Sequence, residues 1–295
     1  MTISDVLPQF KRWALYERAM TVGHFKDMVR TLEWLQEFTG LEEISDFDEG
    51  IIREFLHKKK AERDWANKTF RLYLQHMKSF FDWCIRNKLL KKNPTIGIEK
   101  PKLPQRIPRC LNKEQVLIIL SQVRWYNWYY KIEGSRNEAI LNCFLFTGLR
   151  LSELIKLKTI DVNTSTKEIM VREGKGKKDR IVPLHPRLSM VLKGYLEERK
   201  KYCKPSIWLF TSVRSDKKLS AKNIQTMCRK VSAISGIKFT PHMLRHTFAR
   251  LSLDAGSDFY DLKEILGHSD IATTQIYASV SIKKVKERFE RLRLL

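Results

Sequence analysis

The chain has 295 residues, 43% hydrophobic and 11% aromatic, with 56 Lys and Arg against 33 Asp and Glu and a net charge of +23. That length suits one large domain or two ordinary ones. The apolar content excludes a disordered basic tail, and no apolar run approaches the roughly 20 residues of a membrane span. The opening Met1-Thr2-Ile3-Ser4-Asp5 lacks the basic-then-apolar run of a secretory signal. Five scattered cysteines (Cys84, Cys110, Cys143, Cys203, Cys228), none in a C-x-x-C pair, argue against a disulfide framework or a cysteine zinc site and for a reducing cytoplasm.

Four helices are expected in the first hundred residues. Ser4 or Asp5 is placed to cap the first, which runs to about Met20 with Val6, Phe10, Trp13, Leu15 and Tyr16 on its apolar face. The second spans about Phe25 to Thr39, carries Met28, Leu32, Leu35 and Phe38 at helical spacing, and stops at Gly40. Asp48 caps the third through Ile51, Ile52, Phe55 and Leu56. Asn67 caps the longest, with Phe70, Leu74, Met77, Phe81, Trp83 and Cys84 inward, and Asn93-Pro94 ends it. Four such helices around one apolar centre make a small bundle. Its exposed bases, such as Lys58-Lys59-Lys60 and Arg71, read equally well as a phosphate-binding face or as solvated helix charge.

Lys100 to Arg109 holds three prolines and four bases without periodicity, the composition of an extended basic linker and a domain boundary. The charge divides near the same place. Residues 1–100 hold 18 basic against 15 acidic residues, whereas residues 101–295 hold 38 against 18. A field of that size attracts polyanions, and nucleic acid is the commonest polyanion in a cytoplasm.

Beyond the linker a helix is expected from Asn112 to about Val123. The aromatic run Trp125-Tyr126-Asn127-Trp128-Tyr129-Tyr130 follows, more suited to packing a helix end than to stacking on bases. A second apolar helix, Arg136 to Phe146, leads into Thr147-Gly148-Leu149-Arg150-Leu151-Ser152-Glu153-Leu154, with Arg150 near a helix start and Glu153 one turn on. Glu168–Val171 and Asp179–Leu184 read as short strands joined by the glycine-rich basic segment Arg172 to Lys178. From Pro186 the pattern is helical, with a break at Gly236 to Pro241. His242-Met243-Leu244-Arg245-His246 opens the next helix, where the N-terminus adds positive potential. Leu266-Gly267-His268-Ser269 and Thr273-Thr274-Gln275-Ile276-Tyr277 complete the series.

Two arginines, a lysine, histidines and a tyrosine with few acids suit a phosphodiester. Arginine forks bind non-bridging oxygens, and a tyrosine hydroxyl can attack phosphorus if its proton is accepted and the developing charge neutralised. Taken singly, each residue has a bland reading: Arg150 as an ion pair with Glu153, Lys175 as a solvated hairpin lysine, His246 as a packed histidine, Tyr277 as a core tyrosine. Histidines at H-x-x-x-H spacing would also suit zinc, but the H-E-x-x-H glutamate is missing and arginines crowd the place.

The segments T-G-L-R-L-S-E-L, G-K-G-K-K-D-R-I-V-P-L, H-M-L-R-H-T-F-A and L-G-H-S-D-I-A-T-T-Q-I-Y resemble, in order and approximate spacing, the motifs of the tyrosine recombinase (phage integrase) family. The helical first domain and basic linker are similar to that family's core-binding domain and connector, and the layout looks closer to simple Xer-type enzymes or small mobile-element integrases. The fold so implied is mainly α. An N-terminal four-helix core-binding, DNA-binding bundle occupies residues 1–99 and a basic linker 100–109. A mixed α/β catalytic domain with a small antiparallel sheet occupies 110–295, ending in a helix over 281–295.

The resemblance implies a site-specific recombinase that forms a 3′-phosphotyrosyl bond through Tyr277. Arg150 and Arg245 would clamp the phosphate, Lys175 would protonate the leaving 5′-oxygen, His242 would help accept the tyrosine proton, and His268 would add a hydrogen bond. Glu153 would orient the site. No metal, ATP or other cofactor is expected. The expected partners are double-stranded recombination sites and copies of the chain in a tetrameric synapse on DNA, in the cytoplasm and nucleoid-associated when bound, with no membrane. Where relatives read Tyr-Ala-His, this chain reads Tyr277-Ala278-Ser279. Type IB topoisomerase-like relaxation, a sequence-specific DNA-binding protein without catalysis, and a zinc hydrolase are the competing readings.

Overall fold

The computed structural model describes residues 1–104, 108–172, 179–213 and 215–267. Contacts divide the chain into two compact units, Met1–Gln105 and Arg106–Leu295.

The first unit is built on four helices: α1 (Ile3–Arg12), α2 (Val22–Thr39), α3 (Glu49–Glu62) and α4 (Asn67–Arg86). Their inward faces close one core around Phe10, Leu35, Phe55, Phe80 and Phe81, each fully buried. Asp48 caps α3 by accepting from the Ile51 N–H, and Gly40 ends α2 in the left-handed region at φ 70°, where a side chain would be strained.

Four ends differ from the sequence expectation. Thr2, rather than Ser4 or Asp5, caps α1. Asp5 is the third helical residue and returns a bond to the Thr2 N–H, so the two form a reciprocal capping box. A single π turn, Trp13–Glu17, continues α1, and Ala19 at φ 49° stops the helix before Met20, leaving Tyr16 exposed. Asn67 lies inside α4 and does not cap it. Its side chain instead takes the Lys60 ammonium and donates to the Lys102 carbonyl. The helix stops at Arg86, well before Pro94, because Lys88 turns left-handed at φ 59° and the Leu89 N–H closes back on the Cys84 carbonyl.

The second unit centres on α6 (Lys131–Thr147), whose residues are buried on nearly every side, as expected of a helix surrounded by others. It packs against α5 (Lys113–Trp125), α8 (Pro186–Tyr202) and α10 (Pro241–Asp254). The short α7 (Leu151–Leu154), α9 (Ala221–Ser235) and α11 (Phe259–Leu266) complete the described helices. Strands β1 (Val162–Asn163), β2 (Glu168–Val171) and β3 (Arg180–Pro183) form an antiparallel sheet in that order, with Ile169 opposite Val182 and Val171 opposite Arg180. The mainly α fold with one small antiparallel sheet is thus as the sequence predicts.

The aromatic run divides. Trp128 donates its indole N–H to the Val123 carbonyl and packs on the core, whereas Trp125 and Tyr129 are more than four-fifths exposed. Among the described residues no helix is long and apolar enough to cross a membrane.

Candidate active site

The buried helix α6 delivers the site. It ends at Gly148, φ 60°, and the chain reverses there so that Arg150 becomes the residue preceding α7. Thr240 caps α10 from the other side by accepting from the Met243 N–H, and Pro241 occupies the first helical position, where its missing N–H costs nothing. The first turns of α10 then carry His242 and Arg245. Arg150, His242 and Arg245 line one cavity of about 480 Å3, together with Ser152, Thr240 and Gln225 of α9. Among the described residues no Asp or Glu lines that cavity.

Each arginine is aimed by fixed acceptors. Arg150 places Nη1 2.8 Å from Glu153 Oε1 and Nη2 3.0 Å from the Gly267 carbonyl, leaving its guanidinium about a quarter exposed. Arg245 is 3% exposed and donates to the carbonyls of Gly148 and Leu266. Arg180, at the start of β3, donates from Nε to the Ile265 carbonyl at 2.8 Å. Three consecutive carbonyls at the end of α11, those of Ile265, Leu266 and Gly267, therefore each receive a different arginine. The last turn of a helix leaves such carbonyls without partners in the helix and carries negative potential, so it is a natural seat for cations.

Glu153 ties the arginines together. Its carboxylate is almost fully buried and accepts from the Arg150 N–H, Arg150 Nη1 and both terminal nitrogens of Arg180, all within 2.8–2.9 Å. Burial alone would raise its pKa, but the Arg180 fork, the Arg150 backbone bond, the Arg180 charge and the Arg150 side-chain bond hold it at about 2. It stays ionised at every working pH. The His246 ring lies 4.3 Å from that of His242 at 72°. Burial, with His242 and Arg245 adding to it, pushes His246 down to about 4, so it is neutral at physiological pH.

Of the residues singled out from the sequence, Arg150, His242 and Arg245 share the cavity and Glu153 stands behind Arg150. Lys175, His268 and Tyr277 lie outside the described residues, as does the helix expected over 281–295. Arg180 was not singled out. It sits inside a recognised motif, but nothing local marks an arginine as the partner of a glutamate 27 positions upstream. Among the described residues no three His, Cys, Asp or Glu converge on a metal position.

The family model described as the phage integrase family matches residues 109–284. The tyrosine recombinase XerA of Thermococcus onnurineus is 35% identical over 243 residues, covering 82% of this chain and 80% of that protein. XerD of Staphylococcus saprophyticus is 30% identical, with 97% of this chain and 98% of that one covered. The chain belongs to the phage integrase family. In fold, this recombinase resembles the crystal structure of XerH bound to a palindromic difH substrate, with a TM-score of 0.76 at 22% identity over 97% of this chain and 84% of that one.

Proposed function

We propose that this recombinase cuts and rejoins specific sites in double-stranded DNA through a 3′-phosphotyrosyl link to Tyr277. The observation that carries the reading is the cavity into which two arginines and a histidine converge, with no acid among its described lining residues, suited to a bound phosphodiester. In the first step the Tyr277 oxygen attacks phosphorus, its proton passing toward His242, while Arg150 and Arg245 neutralise the non-bridging oxygens and His268 adds a hydrogen bond. The P–O5′ bond breaks and Lys175 protonates the departing 5′-oxygen. Reversal with a new 5′-hydroxyl rejoins the strand, and the phosphotyrosyl bond conserves the energy of the cut.

Exchange between two duplexes requires four protomers on DNA. Ile282, Val285, Phe289 and Leu292 give the C-terminal segment an apolar stripe that suits docking on a neighbour. Residues 1–99 would grip the duplex as a core-binding domain, joined to the catalytic domain 110–295 through the basic linker 100–109. The enzyme would work in the cytoplasm at the nucleoid.

The test is covalent capture. A pool of nicked duplexes with randomised sequence is incubated with the chain, and DNA that stays attached in detergent is recovered and sequenced. Wild type yields an adduct on a defined sequence, whereas Tyr277→Phe binds the same duplex and yields none. An adduct with Tyr277→Phe would move the nucleophile elsewhere. Deleting residues 283–295 should leave single-site binding intact and abolish recombination between two sites.

A further inference from the structure

Arg180 does not line the cavity, yet all three of its guanidinium nitrogens are held beside it. Both of its terminal nitrogens meet Glu153, one on each carboxylate oxygen at 2.9 Å, and its Nε holds the Ile265 carbonyl at 2.8 Å. The side chain is about one-tenth exposed. A buried ion pair of this kind is seldom better for stability than apolar groups of the same shape, so stability is a weak reason for its presence. Direction is a stronger one. Arg150 has a long, rotatable side chain, and it is aimed by two acceptors, the Glu153 carboxylate and the Gly267 carbonyl. Arg180 holds the supports of both: the carboxylate by its fork, and the end of α11 two residues before Gly267. The backbone confirms how closely they fit, since a Cβ on Gly267 would stand 3.1 Å from Arg180 Cδ.

We infer that Arg180 is a positioning residue for DNA cleavage, a strut from β3 that fixes Glu153 and the end of α11 and so sets the direction in which Arg150 meets the phosphate. The inference rests on the reading of Arg150 as a phosphate ligand. Among the described residues, the charged groups paired with Glu153 are Arg150 from the turn it shares and Arg180 from β3. Without Arg180, the buried carboxylate keeps, among the described residues, only Arg150. Its position is then loose, and it becomes able to take up a proton as the pH falls, which removes the charge that aims Arg150. Loss of the strut therefore impairs cleavage in a pH-dependent way, whereas a neutral residue at position 153 impairs it equally at every pH.

The experiment uses the full chain and the nicked duplex recovered by covalent capture with wild type. Single-turnover adduct formation is followed from pH 8 to 5.5 for wild type, Arg180→Gln, Arg180→Lys and Glu153→Gln. Duplex affinity and melting temperature are measured alongside. Arg180→Gln should bind the duplex within about twofold of wild type, since the residue is buried away from it. It should cleave at least about tenfold more slowly at pH 8, the scale of a small misalignment of a catalytic group, and the deficit relative to wild type should widen as the pH falls. Glu153→Gln should show a deficit that does not change with pH. Arg180→Lys, which retains the charge but not the fork, should be slow with a flat deficit, and it carries the test if Arg180→Gln fails to fold. A wild-type rate in Arg180→Gln, a deficit in it independent of pH, or a widening deficit in Arg180→Lys overturns the strut. If wild type captures no DNA, the recombinase mechanism fails before the strut is reached.

Discussion

At Gly148 the backbone has φ 60° and its carbonyl receives Arg245, while a Cβ built there would stand 2.4 Å from Phe248 Cδ1 and 2.6 Å from Leu266 Cδ2. An alanine must pay both the left-handed strain and the overlap, together about 2 kcal/mol or more. Gly148→Ala should therefore lower the melting temperature and slow cleavage together, because relief of the clash moves the carbonyl that aims Arg245. A variant as stable and as active as wild type would show that the turn is not under this constraint. Arg150→Ala and Arg245→Ala should each slow adduct formation about 100-fold or more, the usual scale of a lost anion-stabilising donor of about 3 kcal/mol.

The ends of the elements carry the next level of control. Asn93, 3% exposed, donates to Asp82 of α4 at 2.6 Å and accepts from both the N–H and the hydroxyl of Thr95. Sequence reasoning treats Asn93-Pro94 as a helix stop, but in the structure it is the stitch that fastens the segment after α4 back onto that helix. Asn93→Ala leaves the buried Thr95 N–H without an acceptor and should cost about 1–3 kcal/mol in denaturant unfolding. A change below about 0.5 kcal/mol would mean that the segment stays docked by Ile98 and its apolar neighbours instead. The feet of the segment between β2 and β3 are held in a related manner. Arg172 pairs with the buried Asp161 at 2.8 Å, and Arg180 pairs with Glu153.

Across the described residues, each unit keeps a histidine neutral, His76 buried in the first and His246 half-buried in the second. In the first unit His76 accepts or donates a 2.8 Å bond with Thr31, and burial, with the charge of His24 adding to it, lowers its pKa to about 4 despite the opposing Asp27. His246 does the same in the second unit. The unfolded chain protonates these rings near pH 6.5, and the folded chain not until about pH 4. In that window the unfolded state binds more protons, so stability falls as the pH drops from 6.5 toward 4 and is fully present only above 6.5. Melting followed by calorimetry should show this decline, and His76→Gln should flatten part of it; stability that rises on acidification would contradict the assignment. The excess of basic residues beyond position 100 sets a second global property. Affinity for duplex DNA should fall steeply between about 50 and 200 mM salt as phosphate contacts release counterions, and a nearly flat salt dependence would argue against an extended phosphate interface.

Local order was legible in the sequence where one residue decides it. Asp48, Asn112, Gly40, Gly148 and Gly236 mark helix ends because a cap or a left-handed turn depends on a short polar side chain or on none. The mainly helical class, the small sheet and the pairing of Arg150 with Glu153 were legible for the same reason, since each is a short-range pattern. The failures at Thr2, Asn67 and Lys88 arose where several residues could have served and packing chose among them. The long-range relations were decided only by the tertiary structure. Glu153 and Arg180 are joined across 27 positions, Arg245 and Gly148 across 97, and Arg150 and Gly267 across 117. A charge in a sequence does not name its partner. Burial does so, by removing water as the alternative and leaving each guanidinium only those acceptors that the packing of α6, α10, α11 and β3 brings within reach.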